Sequence, residues 1–176
     1  MKNIIVVVAT AALCALAPEW ARAQEAGIKL AAVAPGAAVE TLDGTQVDLA
    51  TYMRGTPAVL EFWATWCPLC KELEPQLQAA REKYAGRVKF ISVGVKDNQS
   101  PYKQKAYAES HHLGGEFVFD RDGKAVAAYQ APHTSYLVVV NAEGKVVYTG
   151  VGVKQNVDAV VAMALEMKDM SKMGSR

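Results

Sequence analysis

The sequence predicts an α/β three-layer sandwich on a central mixed sheet, with a β-hairpin added on its N-terminal side. Three observations carry that prediction. Short β-prone apolar runs alternate with helical patterns through the middle of the chain, which is how parallel βαβ units read. A two-strand hairpin pattern followed by a helix ends it. A C-x-x-C pair, Cys67 and Cys70, lies where the first long apolar run gives way to a helix.

The elements follow in order. Val39–Leu42 and Gln46–Leu49 flank Asp43-Gly44, a hairpin-turn signal. Ala58-Val59-Leu60-Glu61-Phe62-Trp63 reads as a buried strand that ends at Trp66-Cys67-Pro68. Residues 68–84 suit a helix: Pro68 fits its first turn, Leu69, Leu73 and Leu77 make one stripe, and Gly86 closes it. Residues 88–95 form the next strand, parallel to the first because a helix intervenes. Ser100-Pro101 opens a helix over 101–113. Phe117–Phe119 is a short strand, 120–123 a turn, and Ala125–Tyr129 one or two helical turns. Tyr136–Val140 and Val146–Tyr148 flank the Asn141–Gly144 turn as a hairpin. Residues 156–169 close as a helix with Val157, Val160, Val161, Ala164 and Leu165 on one face.

The chain has 176 residues, the length of one domain. With 19 Lys+Arg against 18 Asp+Glu, its net charge of +1 gives no reason to expect nucleic acid or an anionic surface as partner. Lys2, the apolar run Ile4–Ala17 and Ala21-Arg22-Ala23 read as a secretory signal cleaved after Ala23. That run of 14 residues falls short of the roughly 20 a spanning helix needs, which sets the signal above an uncleaved anchor. Leu13 before Cys14 is too bulky for a lipoprotein signal. The expected organisation is a signal at 1–23, a loose leader at 24–36, the domain at 37–168 and a tail at 169–176. The expected location is the periplasm.

Export removes Cys14 and leaves only Cys67 and Cys70. A loop that short restrains little chain, so stapling is a poor explanation. A structural zinc site would need a second ligand pair. Two incidental thiols would oxidise in that compartment anyway, which leaves redox chemistry as the reading. At the head of a helix, Cys67 meets unpaired N–H groups and the positive end of the dipole, so it is the attacking thiolate. Cys70, one turn on, resolves the mixed disulfide. Trp66 and Pro68 form an apolar rim around an exposed sulfur. Glu61 stands in an otherwise apolar strand, where a carboxylate is costly unless it serves something or stays protonated. It is either a base for Cys70 with its pKa raised by burial, or a solvent-facing rim residue.

The segment Phe62-Trp63-Ala64-Thr65-Trp66-Cys67-Pro68-Leu69-Cys70-Lys71 resembles the thioredoxin-like proteins of the bacterial envelope, the TlpA/ResA group within the redoxin-related thioredoxin fold. Pro75, five residues after Cys70, matches the helix-kinking proline of thioredoxins. The likeness runs from about Ala37 to Met167. It implies dithiol–disulfide exchange with protein substrates, often in cytochrome c maturation or copper-centre assembly, and a reductant's direction. A membrane thiol–disulfide donor would recharge the protein, which is expected to be a monomer. No metal or cofactor is called for beyond the Cys67–Cys70 disulfide itself. Thioredoxins hold a buried acid at the place of Glu61, where related envelope proteins often have Asn. The family's cis-proline falls at Ser135, whereas the proline at hand is Pro132. Pro132, His133, Thr134 and Ser135 are therefore the candidate substrate-binding rim.

Two other readings stand beside this one. His133-Thr134 followed by Tyr136-Leu137 resembles the His loop of Sco copper chaperones, and two thiols with an imidazole are competent copper ligands. Those proteins space their cysteines C-x-x-x-C, however. Peroxiredoxins want Thr three residues before the nucleophile, where this chain has Ala64. Met163, Met167, Met170 and Met173 read as the apolar face of a fraying last helix, or as a soft-metal tail.

Overall fold

The computed structural model describes residues 27–173, with side chains through residue 167. The predicted signal at 1–23 lies outside the described residues. Twelve elements follow one another: β1 (Ala38–Thr41), β2 (Gln46–Asp48), α1 (Leu49–Met53), β3 (Ala58–Trp63), α2 (Pro68–Lys83), β4 (Lys89–Gly94), α3 (Pro101–Ser110), β5 (Glu116–Phe119), α4 (Lys124–Ala128), β6 (Tyr136–Val140), β7 (Val146–Val151) and α5 (Val157–Met173). The strands form one sheet in the order β2-β1-β5-β4-β3-β6-β7. β3, β4 and β5 run parallel, and the flanking pairs are antiparallel. This is the mixed sheet with an N-terminal hairpin that the sequence predicts.

β3 is central, and all six of its residues are buried. Covered on both faces, such a strand has no reason to alternate apolar with polar. Ala58, Leu60 and Phe62 pack with Leu49, Met53, Tyr129 and Tyr136 on one face. Val59 packs on the other with Leu73 and Leu77 of α2 and Val157, Val161 and Ala164 of α5. Glu61 has the parity of Val59, so it points toward the α2 side.

Four expectations need correcting. Leu69 is 43% exposed. The buried stripe of α2 is Cys70, Leu73, Leu77 and Ala80, so the helix presents its second cysteine, not Leu69, to the core. Leu49 begins α1 instead of ending a strand, because Asp48 caps that helix by accepting from Thr51 N–H at 3.0 Å. The leader is tied down where it is described. Ile28 N–H donates to the Tyr129 carbonyl at 3.1 Å, Ala31 N–H to Val146 O at 2.8 Å, and Val146 N–H to Ala32 O at 2.9 Å. Ala34 N–H adds a bond to Gly144 O at 2.8 Å, so this part of the leader is not loose. Finally, α5 continues to Met173 through most of the expected tail, with Met163 and Met167 exposed.

The two leucines of α2 give a direct test. Leu73→Ala should cost about 2–5 kcal/mol of unfolding free energy, the range for a filled core site. Leu69→Ala should stay within about 0.5 kcal/mol. Urea denaturation midpoints of the oxidised protein check both.

Candidate active site

The turn from β3 into α2 builds the site. Cys67 is the N-cap of α2, with extended backbone, and Pro68 occupies the first helical position. Cys67 N–H donates to Ala64 O at 3.1 Å, which closes the turn. The N–H of Cys70 donates to Cys67 Sγ at 3.1 Å. The sulfur thus takes the place of a capping oxygen, at the helix end that favours negative charge. Cys67 and Cys70 are joined in a disulfide, with Cα atoms 5.3 Å apart.

A neighbouring loop fixes the turn from outside. Gln99 Oε1 accepts from Thr65 N–H at 3.4 Å, and Gln99 Nε2 donates to Thr65 Oγ1 at 3.1 Å. Trp66 Nε1–H donates to Asp97 O at 2.8 Å. Trp66 remains 47% exposed, and Pro68 and Leu69 are exposed beside it. Cys67 is 1% exposed, which corrects the expectation of an exposed sulfur. Its Sγ turns in toward Cys70 and joins the apolar cluster with Trp63 and Ala64. The rim is therefore Trp66, Pro68 and Leu69, around a recessed disulfide.

Glu61 is 5% exposed, and its Oε1 has no hydrogen-bond partner. It shares a cavity of about 360 Å³ with Cys70. Trp63, Glu74, Ser92, Tyr107 and His111 also line that cavity. The solvent-facing alternative for Glu61 is thereby excluded. Burial pushes its carboxyl up from the ordinary 4.5 to about 8; Glu74 adds to the rise and Arg81 opposes it. Trp63 Nε1 is likewise buried without a partner. Sequence reasoning missed Glu74, Tyr107 and His111. The signal for Glu74 was its spacing of four from Cys70, which sets both on one helix face. Tyr107 and His111 have the same spacing, and their rings stack at 3.9 Å.

The 131–135 loop divides. Pro132 and His133 are exposed, Thr134 is half-buried, and Ser135 is fully buried. Every peptide bond among the described residues is trans, so neither Pro132 nor Ser135 supplies a cis-proline. Ser135 is no rim residue. Its N–H donates to Phe62 O at 2.8 Å, its Oγ accepts from Gly152 N–H at 3.2 Å, and its carbonyl accepts from Gln155 Nε2 at 3.2 Å. These bonds hold the head of β6 against the end of β3. Among the described residues no three His, Cys, Asp or Glu side chains gather as a metal site would require.

A disulfide at the N-cap of the helix that follows a central parallel strand defines a redox protein of the thioredoxin fold. The chain belongs to the Redoxin family, whose profile matches residues 26–164. The thioredoxin-like protein YneN of Bacillus subtilis is 29% identical over 101 residues, covering 57% of this chain and 59% of that protein. The thiol-disulfide oxidoreductase ResA of the same organism is 27% identical over 115 residues, covering 65% of this chain and 63% of that one. The chain thus spans about three-fifths of the length of these two relatives. The fold matches the crystal structure of a thiol:disulfide interchange protein of the thioredoxin family from Chlorobium tepidum, with TM-score 0.62 and 22% identity, over 75% of this chain and 94% of that one.

The raised Glu61 carboxyl has a consequence for stability. Between about pH 4.5 and 8 the folded protein keeps a proton on Glu61 that the unfolded chain has released. Folding binds more protons in that window, so this group makes stability fall as pH rises through it. Glu61→Gln should remove that part of the slope and leave the variant more stable than the parent near pH 8. Denaturation midpoints of both oxidised proteins at pH 5 and pH 8.5 check it. Parallel slopes would contradict the assignment.

Proposed function

We propose that the chain is a thiol–disulfide oxidoreductase acting on protein substrates outside the cytoplasm. The observation that carries this reading is the Cys67 sulfur at the helix N-cap, disulfide-bonded to Cys70 and accepting that residue's N–H. The similarity to ResA, a thiol-disulfide oxidoreductase, supports the same activity. The signal-like N-terminus supports export to the periplasm. Among the described residues no helix is long and apolar enough to cross a membrane.

In the reducing direction the Cys67 thiolate attacks a substrate disulfide. One substrate sulfur leaves as thiolate, and a mixed disulfide forms. Cys70 then gives its proton to the Glu61 carboxylate and attacks Cys67 Sγ. The second substrate sulfur leaves, and the enzyme holds the disulfide. Two electrons have passed from the cysteine pair to the substrate. With the carboxyl tuned to about 8, the ionised fraction of Glu61 takes that proton and grows as pH rises toward 8, and it binds the proton more strongly than a carboxylate of ordinary acidity would. We assign Trp66, Pro68 and Leu69 as the surface that meets the substrate. The proposed direction is reduction, in the maturation of cytochrome c or of a copper centre, with a membrane thiol–disulfide donor restoring the dithiol.

Cys70→Ser should accumulate long-lived mixed disulfides through Cys67, since no thiol remains to resolve them. Cys67→Ser should abolish exchange. Non-reducing gels of each variant with a disulfide-bonded protein substrate read both outcomes. Trapping by the Cys67 variant instead would reverse the two roles.

A further inference from the structure

Glu61 does not sit alone in its cavity. The charged and titratable groups on the same walls are Lys71 and Glu74 from α2, Tyr107 from α3, and His111 just past it, with the hydroxyl of Ser92 from β4. One feature ties this cavity to the helix behind it. Glu74 is joined to Arg81, two turns further along α2, by an ion pair at 2.5 Å. The second oxygen of Glu74 accepts from Arg81 Nη2 at 3.4 Å. The pair is largely shielded, with 9% of the Arg81 side chain and 23% of the Glu74 side chain exposed. Arg81 Nε is buried without a partner, so the guanidinium does not spend all its donors on Glu74.

We propose that the Glu74–Arg81 ion pair is a positioning pair for proton transfer at Cys70, which acts by balancing opposite charges beside the buried Glu61 carboxyl. This rests on the reading of Glu61 as the base for Cys70. Glu61 is 5% exposed, so a nearby charge acts on its carboxyl at a lower effective dielectric than in water. The Glu74 carboxylate disfavours ionisation of Glu61, and the Arg81 guanidinium favours it; these are the two charges that act on it, with opposite signs. Held together, they oppose one another: Glu74 adds to the rise that burial produces, and Arg81 offsets part of it. Apart, either would push Glu61 out of the range in which a base is useful. Too high, and it stays protonated; too low, and its carboxylate binds the Cys70 proton weakly.

The test reads the Glu61 carboxyl directly, by side-chain carbon NMR of selectively labelled oxidised protein across pH. Glu74→Gln should lower its midpoint, because the cation is left unbalanced. Arg81→Gln should raise it, because the anion is left unbalanced. Each shift should be on the order of one pH unit. The Glu74→Gln/Arg81→Gln double variant should return near the parent value, and Arg81→Lys, which keeps the charge, should stay near it too. Should Arg81→Gln fail to fold, Glu74→Gln must still lower the midpoint while the charge-keeping Arg81→Lys leaves it in place, and an unmoved Glu74→Gln midpoint would overturn the proposal. A merely structural pair would shift both single variants in one direction or neither, and that result would overturn the proposal. Stopped-flow resolution of a preformed mixed disulfide separates this idea from the role of Glu61. If the midpoints move oppositely while the resolution profile stays still, the coupling holds and Glu61 is not the base. If the midpoints do not move, the coupling fails even where Glu61→Gln slows exchange.

Discussion

One hydrogen bond from backbone to side chain organises the redox site: the N–H of Cys70 donating to Cys67 Sγ. It exists because Cys67 stands at the N-cap of α2, where a Ser or Asp would ordinarily place an oxygen. Putting sulfur there makes the helix end an anion site for a thiolate. Much of the rest of the fold serves to hold that end still. β3 is buried on both faces and sets the strand from which the turn departs. Pro68 starts the helix without wasting a donor. Gln99 and Asp97 clamp the turn from the adjoining loop. Ser135 locks the head of β6 to the end of β3 through Phe62.

The same strand that supplies rigidity carries the fold's main local conflict. Glu61 occupies a place between Leu60 and Phe62 that favours a hydrocarbon, and the protein keeps a carboxyl there with one oxygen unpaired. A buried acid of this kind costs stability as soon as it must ionise. Such conflicts between local stability and the rest of the fold are expected where chemistry needs them. The conflict is contained by keeping the carboxyl protonated through most of the neutral range and by placing one anion and one cation near it. The cavity beside it joins Cys70 to these groups, which a well-packed core would not leave open.

Much of this was legible in the sequence because it is written locally. The apolar run of β3, broken only by Glu61, the Asp43-Gly44 turn, the Ser100-Pro101 cap and the Asn141–Gly144 turn each depend on neighbours within a few residues, and their elements fall where expected. The C-x-x-C pair and Glu61 were legible for a second reason: a carboxyl or a thiol in an apolar setting is a conflict visible in one dimension. What was hidden is long-range. The leader is held by β7 and Tyr129, more than a hundred residues away. Ser135 looked like rim because its partners at Gly152 and Gln155 are not its sequence neighbours. Leu69 matched the spacing of an apolar stripe, but the first turn of α2 points that position outward. The cavity is assembled from five elements and has no local signature beyond the spacing of Cys70 and Glu74.

Redox exchange by this protein requires Cys67 to be the sulfur that the helix end holds as a thiolate. The most direct measurement reduces the protein and follows alkylation at each cysteine by mass spectrometry across pH. The account predicts that Cys67 is modified first and that its rate reaches half its plateau well below the ~8.5 of an ordinary thiol. Cys70, buried beside a protonated carboxyl, should react only at higher pH. Alkylation beginning at Cys70, or a Cys67 profile centred at or above that ordinary value, would contradict it.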